Sequence, residues 1–280
     1  MPVLLAFCSA LVYGVGDWFG GKASRDQASP VVAVTGQIVS LLLVGTVTLI
    51  MGTAVPDAST WAWSAFGGIS GALGIAGLYH GFAHGDITVV APVSAVVGAA
   101  VPVAVGLATG ERPTAIAYLG IAIAIGAVAL VSGALGTHQH NTPPRIVALA
   151  VAVGACFGLL FVSFARTAHD AGMWPLVIAR FASVPALVLL LVSSGARPAP
   201  HRSSMYIAVL AGVFDMGANV LYLVASRGDM LSIVAVVSSL YPASTVVLAF
   251  AIDKERVSRW QSIGMGMAAL ALVLVSLSRQ

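Results

Sequence analysis

"LYLVASRGD" (residues 221–229) repeats the pattern of "LYHGFAHGD" (78–86): Leu78 stands opposite Leu221, Tyr79 opposite Tyr222 and Gly85-Asp86 opposite Gly228-Asp229, all 143 positions apart. The register then gains one residue. At an offset of 144, Ser94 meets Ser238, Glu111-Arg112 meets Glu255-Arg256, Gly120 meets Gly264 and Val131-Ser132 meets Val275-Ser276, and upstream Gly14 meets Gly158. Matches at so nearly constant an offset mark an internal repeat.

Composition says what is repeated. With 59% hydrophobic residues, 8% charged residues and a mean hydropathy of +1.00, the 280 residues lie outside the range of soluble domains. A helix crossing about 30 Å of hydrocarbon needs roughly 20 apolar residues at 1.5 Å each. Charge, Gly, Pro and Asp divide the chain into ten such spans, at about 2–21, 29–52, 60–81, 87–109, 115–135, 146–167, 174–194, 204–226, 230–252 and 258–277. The longest break, "GALGTHQHNTPPR" (133–145), leaves five spans on each side, so a first repeat is expected over 1–135, a polar linker over 136–145 and a second repeat over 146–280. A unit of five spans is odd, and the second copy therefore enters the membrane from the opposite side. The expected fold is an all-α polytopic membrane protein, ten transmembrane helices as two inverted five-helix repeats, an arrangement found in many secondary transporters.

Several function classes drop out. The first stretch lacks a basic leader and a small-x-small cleavage site and carries Asp17, so it reads as a span rather than a signal peptide. Cys8 and Cys156 fall inside apolar helices and read as packing residues. A net charge of +3 spread over many loops suits interfacial anchoring and not nucleic acid. The sequence has no H-E-x-x-H or Walker A motif, so neither an enzyme nor ATP-driven pumping is expected, and no cofactor is called for.

Five further stretches narrow the family: "GERPT" (110–114) with its echo "DKERVS" (253–258), "APVSAVVG" (91–98) with "SSLYP" (238–242), and "ARF" (179–181) after Pro175. In this order and repeat, over the whole chain, they resemble the EamA branch of the drug/metabolite transporter superfamily. The resemblance implies a central cavity lined mainly by helices one, three, four, six, eight and nine and a cargo of small metabolites. The chain departs from the pattern at Val97-Gly98, where the second copy has Tyr241-Pro242, at Tyr13, where Trp is usual before Gly14, and at Thr35, which the repeat sets opposite Arg180. Arg112, Arg166, Arg227 and Arg279 lie on the side of the termini, against eight Lys and Arg opposite, which places the termini outside; the resemblance implies termini in the cytoplasm.

Polar residues inside the spans are the candidate site. In "VFDMGANVLYLVAS" (213–226), Asp215, Asn219, Tyr222 and Ser226 recur at helical spacing as one polar stripe. A carboxylate at that depth costs about 2.5 to 3.5 kcal/mol against lipid, so the stripe faces protein or a cavity. Asp215 either ties helices together or serves as a cavity site or proton carrier; the second is the stronger reading. In span one, Tyr13 and Asp17 share a face with Ser9, and Trp18 is a wall or interfacial aromatic. Arg180, about two turns inside span seven, needs an acidic partner, Asp215 or Asp17, or a substrate carboxylate or phosphate. Tyr79 is the repeat partner of Tyr222. His80 is read as a cavity polar group and His84 as interfacial; with no third strong ligand beside them, no metal is expected. Pro102 and Pro242 are expected to interrupt spans four and nine.

An intramembrane aspartyl protease is a poor match: "GVGD" (14–17) precedes "PAL" (185–187) and "FD" (214–215), the wrong order for those enzymes. The expected function is a secondary transporter, exporter or exchanger, of small polar metabolites such as amino acids, driven by an ion gradient or exchange. Multidrug or cationic compound efflux is the alternative. The expected setting is the plasma (bacterial inner) membrane, as a monomer or weak homodimer, with a small-molecule substrate and lipid as partners.

Overall fold

A computed structural model describes residues 1–83, 87–131, 144–195, 202–252 and 258–277. Each expected span is a helix: α1 (Pro2–Ala23), α2 (Ser29–Met51), α3 (Ala58–Ala83), α4 (Ile87–Ala108), α5 (Ala115–Val131), α6 (Pro144–Ala165), α7 (Trp174–Ser194), α8 (Arg202–Ser226), the pair α9 (Leu231–Ser238) and α10 (Tyr241–Ala251), and α11 (Arg259–Leu277). Proline in the first turn starts α1, α2, α7 and α10, where its missing N–H is not needed. His84, Gly85-Asp86, residues 136–143 of the expected linker, Arg197, residues 253–257 of the "DKERVS" echo and Arg279 lie outside the described residues.

The two expected proline interruptions differ. Before Pro242 the ninth span stops at Ser238 and restarts at Tyr241, an elbow between α9 and α10. Pro102 breaks nothing: α4 runs through it. The tyrosine and proline of "YP" have Val97-Gly98 as counterparts, and both of these keep an N–H to donate, so α4 has no elbow there.

Helix packing follows the repeat. α1 packs on α8 as α6 packs on α3; α2 packs on α8 as α7 packs on α3; and α9 with α10 packs on α1 as α4 packs on α6. α2 meets its own counterpart α7, and α5 meets α11. The ten spans thus form two inverted five-helix repeats related by a pseudo-twofold axis between α2 and α7. Small residues set the approach of these helices, as expected where lipid gives no hydrophobic drive between them. A Cβ on Gly212 would collide with the Gly36 backbone, and one on Gly68 with the Ala179 backbone, the same crossing in the two halves. Gly67, Gly71, Gly74 and Gly77 of α3 all face α6 side chains.

One contact joins the repeats at a helix end. The Leu231 and Ser232 amides in the first turn of α9 donate to Glu111 Oε1 and Oε2, at 2.6 and 3.1 Å, from the loop after α4. A carboxylate there satisfies two amides that the helix itself leaves open and complements its dipole.

Candidate functional site

A cavity with about 660 Å³ of empty space, open solvent included, lies where α1, α3, α4, α6, α8 and the α9–α10 elbow converge, with α2 and α7 between them. A second lobe of about 370 Å³ shares Tyr13, Asp17, Gln37, Ile75 and Asp215 with it and reaches Tyr79.

Its polar centre is an ion pair. Arg180, 3% exposed, donates from Nη2 to Asp215 Oδ2 at 2.8 Å. Asn219, one turn on in α8, donates from Nδ2 to Asp215 Oδ1 at 3.2 Å and to its backbone carbonyl at 2.8 Å. Both carboxylate oxygens are therefore engaged, and the guanidinium charge, which could not be buried alone, is matched. Asp17 is different: among the described residues it has no hydrogen-bond or ion-pair partner. The Tyr13 hydroxyl, Arg180 Nε and Asn219 Oδ1 are buried and likewise without a partner there. Tyr13 spans the cavity edge-on, its ring centroid 6.1 Å from Phe161 and 6.4 Å from Tyr241.

The structure brings Asp215, Asn219, Arg180, Asp17 and Tyr13 to one cavity and places Tyr79 in the adjoining lobe. It does not bring the others. Tyr222 is fully buried behind the cavity, stacked on Phe161 at 4.4 Å with its hydroxyl donating to the Phe161 carbonyl. The polar stripe of α8 thus leaves the cavity after Asn219, because Tyr222, on nearly the same face as Asp215, sits about 10 Å further along the axis, where Phe161 of α6 covers it. Ser226 bonds back to Leu223. Trp18 packs beside Phe19, with Lys22 Nζ 4.6 Å from its ring centroid, and lines neither lobe. His80 is exposed on α3, one residue round the helix from the buried Tyr79, and also lines neither.

Gln37 is the residue that reading the sequence missed. It is buried, lines both lobes, and its Oε1 accepts from Ser183 Oγ at 2.7 Å across the α2–α7 contact. It also corrects the register. The equivalent crossings of Gly36 on Gly212 and Ala179 on Gly68 set Gly36 opposite Ala179, so Gln37, and not Thr35, is the counterpart of Arg180. Thr35 instead donates to Met205 Sδ at 3.5 Å, away from the cavity. The signal was a lone amide in the apolar run "VVAVTGQIVSLLL" (31–43), at the same offset of 143 as the tyrosines.

The model of the EamA-like transporter family matches the chain twice, over residues 1–133 and 144–277. The chain belongs to that family. It is an integral membrane protein of the drug/metabolite transporter type. No curated protein matches it. One solved structure, described only as "Crystal structure of protein", superposes with a TM-score of 0.78 at 16% identity, covering 99% of this chain and 96% of that one; at such identity the likeness is one of fold.

Proposed function

We propose that this EamA-like protein is a secondary transporter of small polar metabolites such as amino acids, working by alternating access around the cavity between its repeats and driven by an ion gradient or exchange. Arg180, Asp215, Asn219, Asp17 and Tyr13 form the binding and coupling site in the bacterial inner membrane. The observation that carries this reading is the Arg180–Asp215 pair at 2.8 Å, lining a cavity inside helices read as membrane-spanning. Charged groups at such depth are rarely maintained without a task. Inverted repeats supply the motion, since exchanging the conformations of two similar units moves the opening from one face to the other.

A second reading, efflux of cationic compounds, is favoured by one observation: Asp17 faces the cavity with no basic partner among the described residues. Counterflow in proteoliposomes decides between them, with labelled amino acids and labelled tetraphenylphosphonium each measured with and without a pH gradient. Amino-acid exchange above empty vesicles, lost in Asp215→Asn, is the expected outcome. Exchange of the cation alone establishes the second reading, and exchange of neither class removes both.

A further inference from the structure

The repeat pairs the residues that line the cavity. At an offset of 144, Tyr13 pairs with Phe157 and Asp17 with Phe161. Ser239 likewise pairs with Ala95, and all six line the cavity; α8 adds Asp215 and Asn219 to the lining, where its counterpart α3 adds Gly71 and Ile75. In each of the three pairs one member is polar and the other apolar, and the two counterpart helices differ in the same way. The polar members stand on α1, α8 and the elbow after α9, and the apolar members on α6, α3 and α4. Those groups are also the ones that pack together, α1 with α8 and α6 with α3. The pseudo-twofold axis therefore relates a polar wall to an apolar wall, and Gln37 and Arg180, both polar, stand at the seam on α2 and α7.

We propose that the cavity is a two-walled site for an amphipathic cargo held in one orientation, its polar group on α1 and α8 and its apolar group against Phe157 and Ile75. This rests on the cavity being the transport site and names the class of molecule it takes. The polar wall has capacity that the chain leaves unused: the Tyr13 hydroxyl and Asn219 Oδ1 are buried without a partner among the described residues, and Asp17 has none either. Buried polar groups are ordinarily satisfied, so these await the cargo head or water. The apolar wall offers Phe157, Leu160 and Ile75, with Ser94 its one polar side chain, and rewards a cargo that carries hydrocarbon. When the repeats exchange conformations the side chains stay on their own helices. The polar wall is the same wall on both faces, and the cargo does not turn over during the cycle.

The test uses a probe series with one head and a growing tail: alanine, 2-aminobutyrate, norvaline and norleucine, titrated calorimetrically into the purified full chain in nanodiscs. The matching n-alkylamines, which drop the carboxylate, form a second arm and report which head the polar wall prefers. Affinity in at least one arm should rise about fourfold for each added methylene. Phe157→Tyr gives the apolar wall its repeat partner's hydroxyl, and Ile75→Asn gives it an amide like that of the polar wall. Each should weaken the longest probe roughly tenfold and leave the shortest within about twofold. Should Ile75→Asn fail to fold, Phe157→Tyr, which adds a single oxygen, carries the test. A flat series in the native protein overturns the two-walled site, and so does a slope that survives both substitutions. Failure of the transport reading looks different: no probe of either arm then binds or exchanges, and the inference falls with it.

Discussion

At the Gly36–Gly212 and Gly68–Ala179 crossings the two repeats are alike, backbone against backbone with no room for a side chain. In the cavity they differ: Arg180 stands against Gln37, Tyr13 against Phe157 and Asp17 against Phe161. The same helices carry both regions, so the difference is one of task. A crossing must accommodate either arrangement of two inverted units and is served by small residues on both sides. A binding site gains from unlike walls, because a small asymmetric molecule presents unlike ends.

Substitutions that exchange or erase these differences test the comparison. The largest effect is expected at the ion pair. Asp215→Asn leaves the Arg180 charge buried without a carboxylate, which costs about 3 to 5 kcal/mol, and it abolishes gradient-driven transport. The double variant Arg180→Gln with Asp215→Gly removes both charges and installs the first repeat's glutamine at the seam. It should recover most of the stability lost by the single variant and none of the transport. Thermal unfolding and counterflow on the same preparations check this, and a single variant as stable as the native protein would show that the Arg180 charge does not depend on the carboxylate.

At the crossings, Gly68→Val and Gly212→Val should each destabilise by about 1 to 3 kcal/mol through overpacking, and by similar amounts, since the two contacts are equivalent. Unequal losses measured by thermal unfolding would break the symmetry claimed for this region. Next comes Glu111→Gln. The amide keeps one acceptor oxygen for the two amides of α9 and loses the charge, a change of about 1 kcal/mol, visible as faster hydrogen exchange at Leu231 and Ser232. The smallest stability effects separate two tyrosines. Tyr222→Phe gives up the bond to the Phe161 carbonyl, about 1 kcal/mol, without altering cargo affinity. Tyr13→Phe gives up no bond to any of the described residues, so unfolding should stay put while affinity falls.

Much of this was legible in the sequence, for identifiable reasons. Span limits were readable because lipid demands long apolar runs, and every described helix begins and ends within a few residues of its expected place. Asp215, Asn219 and Arg180 were found because charge and amide are conspicuous against such a background. Tyr222 and His80 were misplaced for the opposite reason: both tolerate apolar and polar surroundings, so spacing on a helix did not say which neighbour each would meet. Gln37 was passed over because its partner, Ser183, lies on another helix 146 residues away. Thr35 was set opposite Arg180 because a repeat that gains a residue can be aligned in more than one register where no motif pins it. Only the backbone crossings fix that register.

The Arg180–Asp215 pair has a consequence for how the chain is made. Its members are 35 residues apart on successive helices, so α7 leaves the ribosome before the carboxylate that neutralises its arginine exists. Alone, α7 would enter the bilayer against a penalty of about 2.5 to 3.5 kcal/mol at the centre of a span. α8 removes that penalty when it arrives. The two helices are thus expected to partition from the translocon as one hairpin, with α7 dwelling at the lateral gate until α8 is complete. A glycosylation-mapping series truncated between residues 195 and 226 would show α7 becoming fully inserted only once Asp215 has emerged, and insertion independent of α8 would remove the coupling.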